Sequence, residues 1–97
     1  MVNKNILEVV NPSSAEVLAQ LDTDDCSSAL GKIKAAKGLF GDRSRQLKRH
    51  ERTAILEKLA VAIELDHENF AITIAQEGGK PLMDARVEVT RAIAGIK

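Results

Sequence analysis

The stretch "QEGGKPLMDARVEVTRAI", residues 76–93, determines how the C-terminal half of the chain is organised. A glycine pair, Lys80 and Pro81 stand between two segments whose apolar residues have a helical spacing. Glycine ends helices because it enters the left-handed region at little cost, and proline is favoured in the first turn of a helix. The stretch therefore predicts a helix that ends at the glycines, a left-handed turn at Gly78 or Gly79, and a new helix that starts at Pro81.

The last predicted helix, residues 82–97, has a continuous apolar face. Its members recur three or four positions apart and are Leu82, Ala85, Val89, Ile93 and Ile96. The face continues to the last turn, and no stop signal precedes Lys97. We therefore expect this helix to pack inward, and we expect the chain to be the first part of a longer protein.

Three further helices are predicted upstream, at about 24–40, 47–65 and 67–77. Thr23 or Asp24 is expected to cap the first of them, and Asp66 the third. The predicted inward faces are Cys26, Ala29, Leu30, Ile33, Ala36 and Phe40 in the first helix, Ile55, Leu56, Leu59 and Ile63 in the second, with Ala60 and Ala62 beside them, and Phe70 and Ile74 in the third.

The N-terminal segment, about 6–21, predicts a β-hairpin. "ILEVV" and "VLAQL" are rich in β-branched and apolar residues, and the turn-forming "NPSSAE" separates them. An isolated hairpin is marginally stable in water, so this one requires a surface to pack on. The fold class predicted from the residues is mainly α with an N-terminal β-hairpin.

Composition excludes several classes of protein. The 97 residues suffice for one small domain, and 14 basic residues balance 14 acidic ones, so no global charge attracts nucleic acid or an anionic membrane. A single cysteine excludes an intrachain disulfide. No stretch approaches the roughly 20 apolar residues that span a bilayer. These features predict a cytoplasmic protein.

Four features resemble functional sites, and each favours a structural interpretation. Cys26 lies on an apolar stripe and is expected to be a buried or half-buried thiol. His50 and His67 have no second metal ligand at helical spacing. The motif 77–81 lacks the pattern of a phosphate loop, and Lys80 is expected near the negative end of the preceding helix. The basic run 43–52 is expected to be a solvated surface. No residue is assigned a catalytic, cofactor-binding or metal-binding role.

Taken in order, these segments resemble the N-terminal region of the aldehyde dehydrogenase superfamily. The resemblance rests on "VVNPSSAEVLAQL", "AAKGLFGDRSRQL", the long helix that ends in "AQEGGKP", and "LMDARVEV", and it covers about residues 6–97. Members carry an Asn-Pro hairpin and a Glu-x-Gly-Lys-Pro motif, which corresponds here to Glu77–Pro81. "FGDRS" and "EGGKPLMDARVEV" are most similar to members that act on small aldehydes such as lactaldehyde or phosphonoacetaldehyde. The family usually has glycine where Ala15 stands, and often a tryptophan near Gln46.

The resemblance implies that the chain is part of the Rossmann-like α/β cofactor-binding domain of an enzyme that oxidises a small aldehyde to an acid with NAD or NADP. It also implies a homo-oligomeric parent with no nucleic acid or membrane partner. The family's nucleophilic cysteine, general-base glutamate, oxyanion-stabilising asparagine and cofactor-contacting lysine lie beyond the matched region. The chain alone is therefore expected to be inactive and to bind no cofactor.

Two other functions remain open from the residues. One is a free-standing helical module that binds a partner protein through its apolar faces. The other is a small nucleic-acid binder that uses residues 43–52.

Overall fold

A computed structural model describes residues 5–97 and contains a two-stranded hairpin followed by four helices. The elements are β1 (Ile6–Val10), β2 (Val17–Asp22), α1 (Cys26–Gly41), α2 (Arg49–Leu65), α3 (His67–Gly78) and α4 (Leu82–Ile96), with a short 3-10 turn at Arg43–Arg45 before α2. The predicted fold class, mainly α with an N-terminal hairpin, is confirmed.

The hairpin pairs β1 and β2 in antiparallel register. Leu7 lies opposite Leu21 and Val9 opposite Ala19, and the register shifts between Val9 and Val10. These apolar pairs share one face of the ribbon because alternate residues of a strand point to opposite sides. One side of the ribbon is therefore suited to packing.

The hairpin loop is closed by Ala15 in a left-handed conformation, with a φ of 62°. The Ala15 N–H donates to the Asn11 carbonyl at 2.8 Å, and the Asn11 N–H donates to the Glu16 carbonyl at 2.9 Å. A residue with a Cβ is disfavoured in this region by about 1–2 kcal/mol. Ala15 therefore stands at a left-handed position of the loop, where glycine, the residue that the family usually has there, would be less strained.

The structure corrects the predicted cap of α1 and has Asp66 at the predicted N-cap position of α3. Asp25, not Thr23 or Asp24, caps α1, because its carboxylate accepts the Ser28 N–H at 2.7 Å and the helix begins two residues later than expected. Asp66 precedes α3 but does not cap it with its side chain. Its carboxylate instead accepts from the Asn69 side-chain amide at 2.6 Å.

The link between α3 and α4 has the predicted geometry. Gly79 takes φ 62° and ψ 34°, the left-handed conformation that ends α3, and its N–H donates to the Ala75 carbonyl. Pro81 stands immediately before the first helical residue of α4, and its carbonyl accepts the Ala85 N–H at 3.1 Å. The prediction of a left-handed glycine at this turn is confirmed.

The core lies where α4 packs against both α2 and α3. Within residues 5–97 the buried residues are Ala60, Ala71, Ala85, Val89 and Ile93, and Ile63, Ile74, Ala75, Leu82 and Ile96 pack around them. Three of the five buried side chains are alanines, one each from α2, α3 and α4, so the helices meet through small side chains. The predicted inward face of α4 is confirmed.

The predicted inward faces of α1 and α2 are mostly wrong. Along α1, Cys26, Leu30, Ile33 and Phe40 are exposed, and Phe40 retains 82% of its accessible surface. In α2, Ala60 and Ile63 face α4, whereas Ile55, Leu56 and Leu59 remain about half exposed. Phe70 of α3 is also exposed. The periodicity identified the apolar sides correctly, but no other described element covers them.

The molecule is flat as a result. Its extents are 49 × 43 × 15 Å, and its radius of gyration is 18.0 Å. A compact domain of this length has a radius of gyration of about 12–13 Å. A thickness of 15 Å is little more than one layer of helices, whose diameter with side chains is about 10–12 Å.

Replacing Ala15 with glycine is expected to stabilise the hairpin. The change relieves the left-handed strain and adds backbone freedom to the unfolded chain, so the net gain should be about 0.5–1 kcal/mol. Amide hydrogen exchange of Asn11 should slow by about two- to fivefold. Ala19→Gly is the matched control because it lies in the extended ladder, where glycine should accelerate exchange. Faster exchange in Ala15→Gly would contradict the strain.

Candidate functional site

Cys26 and the two histidines form no catalytic or metal-binding cluster. Cys26 is the first residue of α1, and its thiol is exposed, which corrects the expectation of a buried or half-buried thiol. His67 Nε2 lies 3.0 Å from Thr90 Oγ1, whose hydroxyl donates to the Arg86 carbonyl at 3.1 Å. Across residues 5–97 no group of three metal-ligating side chains comes together.

A bidentate ion pair joins α3 to α4. The Arg86 guanidinium donates from Nη2 to Glu68 Oε1 at 2.6 Å and from Nε to Oε2 at 3.0 Å. These hydrogen bonds lower the pKa of the Glu68 carboxyl from its ordinary value, and the positive charge of Arg86 lowers it further. The pKa of Arg86 is raised for the same reason. The pair lies at the surface, so it orients the two helices more than it stabilises them.

The motif Glu77–Pro81 has no free anion-binding group. The Lys80 ammonium forms an ion pair with Glu88 of α4 at 2.8 Å, and the aliphatic stem of Lys80 lies against Gly78. Lys80 directly follows the C-cap of α3, as expected, and its ammonium charge is paired with Glu88. The left-handed Gly79 faces the hairpin loop, where Pro12 Cγ occupies the space in which a side chain would lie. The structural interpretation of the motif is therefore supported by its contacts.

The basic run 43–52 covers the 3-10 turn and the start of α2. Arg52 donates from Nη1 to the Leu47 carbonyl at 3.0 Å, and the Lys48 N–H donates to the Glu51 carboxylate at 2.8 Å. Gln46 donates from its amide to the Phe40 carbonyl at 2.8 Å. These contacts are local and set the direction in which the chain enters α2, two residues later than predicted. The remaining basic side chains are exposed.

An apolar groove of about 480 Å³ lies between α2 and the end of α4. It is lined by Thr53, Leu56, Glu57, Val61, Ile96 and Lys97. Its walls carry no hydrogen-bonded pair of an acid and a base, so the groove is suited to packing and not to proton transfer. Sequence reasoning missed the groove and the Glu68–Arg86 pair, because each is formed by residues of two different helices that are far apart in the sequence.

None of the helices within residues 5–97 combines the length and apolar character that crossing a bilayer requires.

Comparisons with known proteins place the chain in one family. The sequence profile described as "Aldehyde dehydrogenase family" matches residues 2–97. The chain is 31% identical over 96 residues to the lactaldehyde dehydrogenase of Methanocaldococcus jannaschii, covering 99% of this chain and 20% of that protein. It is 36% identical over 92 residues to aspartate-semialdehyde dehydrogenase 1 of Pseudomonas canavaninivorans, covering 94% of this chain and 19% of that protein.

The fold matches a solved enzyme. A crystal structure of the glyceraldehyde-3-phosphate dehydrogenase GapN from Methanocaldococcus jannaschii, complexed with NADP, superposes with a TM-score of 0.87 at 31% sequence identity. The match covers 99% of this chain and 21% of that chain. The chain therefore spans about a fifth of the length of the relatives that it matches.

The pKa of Glu68 is expected to depend on Arg86. Because the carboxyl pKa is lowered in the folded chain, the stabilisation from the pair is present above the unfolded pKa of about 4.3 and is lost as the pH falls through the folded pKa. Carboxyl carbon NMR titration should show Glu68 titrating at a lower pH in the unsubstituted chain than in Arg86→Gln, which removes both hydrogen bonds to the carboxylate. Equal titration of Glu68 in the two chains would refute the pair.

Proposed function

The chain belongs to the aldehyde dehydrogenase family, and from this premise we propose that it is a scaffold segment of an NAD- or NADP-dependent enzyme that oxidises a small aldehyde to a carboxylic acid. Its hairpin and helices form one layer against which the rest of the cofactor-binding domain packs. The whole enzyme is proposed to be a homo-oligomer.

The observation that carries the scaffold role is the area of exposed surface. The chain has 8120 Å² of accessible surface, whereas a compact monomer of this mass has about 5,400 Å². The excess of about 2,700 Å² is roughly three times the 800 Å² that one partner contributes to a standard protein interface. The exposed leucines and isoleucines of α1 and α2 contribute to it, as does Phe40 of α1. Such a surface is typical of an element cut from a larger core.

The cofactor would be held by residues outside the described segment. A pyrophosphate site requires free backbone N–H groups at the N-terminus of a helix, or a free cation beside it. At the only glycine-rich stretch in residues 5–97, Gly79 is covered by Pro12 and Lys80 is paired with Glu88. The motif therefore does not fit the pyrophosphate, and the proposed contribution of this segment is to support the domain that binds the cofactor.

The chemical step would likewise use residues outside this segment. Aldehyde oxidation in the resembled family requires a thiolate that attacks the carbonyl and a base that later activates water. Cys26 does not match that nucleophile in sequence, and no described residue hydrogen-bonds to its exposed thiol. Cys26 therefore lacks the general base that this chemistry requires beside its nucleophile.

A free-standing partner-binding module remains the second candidate, because the same exposed apolar surface is consistent with it. Sequencing the DNA and transcript beyond codon 97 separates the two. A continued reading frame that encodes a cysteine-containing aldehyde dehydrogenase domain supports the scaffold proposal, and the product of that frame should form NADH or NADPH from a small aldehyde. A confirmed stop codon in the transcript would favour the module.

The 97-residue chain alone is expected to oxidise no aldehyde. With purified chain, NAD or NADP, and a panel that includes lactaldehyde, the absorbance of reduced cofactor at the end of the assay should equal that of a protein-free blank. Calorimetric titration with either cofactor should show no saturable heat. Turnover above the blank that Cys26→Ser abolishes would overturn the proposal that catalysis lies outside this segment.

The exposed leucines of α2 are expected to contribute little to the stability of the chain alone. Leu56→Gln with Leu59→Gln should leave the helical circular dichroism unchanged, because both side chains are already about half exposed. Binding of a dye that fluoresces on apolar surfaces should fall. The matched substitution Ala60→Gln should reduce the helical signal, because it inserts a larger polar side chain at a fully buried contact. Equal effects at the two positions would contradict the assigned faces of α2.

A further inference from the structure

We propose that the contact of Pro12 and Ser13 with Gly79 is a joint that sets the orientation of the hairpin relative to the α3–α4 pair. We call these three residues the hairpin joint. The motif Glu77–Pro81 then acts as a receptor for the hairpin loop as well as a turn between two helices.

The helical side of the joint depends on the missing side chain of Gly79. A Cβ built on this residue would lie 2.6 Å from Pro12 Cγ and 3.4 Å from Ser13 Oγ. Carbon atoms that are not bonded are in contact at about 3.5–4.0 Å, so any side chain here would push the loop away. Gly79 is therefore required for two separate reasons: it adopts the left-handed conformation, and it leaves space for the hairpin loop.

Neither reason applies to Gly78, which is not left-handed and does not contact the hairpin loop. A Cβ there would meet only the stem of Lys80, whose Cε would lie 3.0 Å away and belongs to a flexible side chain. That stem continues to the ion pair between Lys80 and Glu88 of α4. The two adjacent glycines thus differ in function, and Gly78 provides a matched control for Gly79.

The loop side of the joint is held rigid before it meets Gly79. The Asn11 side-chain carbonyl accepts the Ser13 N–H at 2.9 Å and the Ser14 N–H at 3.4 Å. The ring of Pro12 restricts its own φ. The proline therefore projects from a fixed turn, so its contact with Gly79 fixes where the hairpin loop lies.

Other restraints on the hairpin are weak. The extensive contacts between elements are those of β1 with β2, α3 with α4, and α2 with α4, so no strand packs extensively on a helix among the described elements. The chain between β2 and α1 is only three residues long, but the apolar side of α1 is exposed. With the covalent link at one end, a contact at the loop is well placed to fix the direction of the ribbon.

The test measures the distance between spin labels on Gln20→Cys in β2 and Arg91→Cys in α4, both exposed positions, in a Cys26→Ser background of the full chain. The reference chain should give a narrow distribution of label-to-label distances by pulsed electron paramagnetic resonance. Gly79→Asn should shift or broaden it, because asparagine accepts the left-handed conformation but adds a Cβ at the joint. Gly78→Ala should leave the distribution unchanged.

A second background isolates the contact. Pro12→Ala removes the Cγ atom at 2.6 Å and leaves the Cβ atom at 3.6 Å, so Gly79→Asn should cause little additional change there. The helical circular dichroism should be the same in all variants. A reference distribution as broad as that of Gly79→Asn would overturn the joint, as would an unchanged distribution in Gly79→Asn or an equal effect in both backgrounds. Loss of helix in Gly79→Asn would overturn it too, since the glycine would then serve the helix end alone.

Discussion

The close packing of α4 against α2 and α3 is the contact on which the rest of the helical layer depends. Ala60, Ala71 and Ala85 are fully buried there, and Val89 and Ile93 extend the contact along α4. Because alanine has only one side-chain carbon, the helices approach closely and leave little room for a larger residue. The same small side chains limit the apolar surface that the contact buries, so this core is thin for a chain of 97 residues.

The thin core explains why the surface electrostatics and the turn geometry matter in this molecule. The Glu68–Arg86 and Lys80–Glu88 pairs and the His67–Thr90 hydrogen bond all connect α3, or the link that follows it, to α4. Each is solvent-exposed and contributes little alone. Together they act along one helix pair, where each fixes the rotation or the offset of α4. They add polar contacts between α3 and α4 to the apolar packing of the same helix pair.

The sequence predicted the inward face correctly for helices that other elements of this chain cover, and failed for helices that are left uncovered. The spacing in α4 correctly predicted its inward face, because α2 and α3 cover that side. The same rule failed for α1, where Leu30, Ile33 and Phe40 stay exposed, since periodicity identifies the apolar side of a helix but not what covers it. The cap at Asp25 was missed because adjacent acidic residues are equivalent in sequence and differ only in backbone position. The ion pair of Glu68 with Arg86 spans 18 positions and could not be inferred from local spacing.

Two residues share a φ of 62°, and their different surroundings show why one must be glycine and the other tolerates alanine. At Ala15 the left-handed conformation closes a loop at the end of the hairpin, where a Cβ costs only backbone strain. At Gly79 the same conformation brings the backbone against Pro12, so a Cβ would add a steric clash to that strain. The family motif retains glycine at the second position, and the departure from the family pattern falls at the first. The backbone conformation is the same at both positions, so the requirement for glycine at Gly79 comes from the neighbouring Pro12.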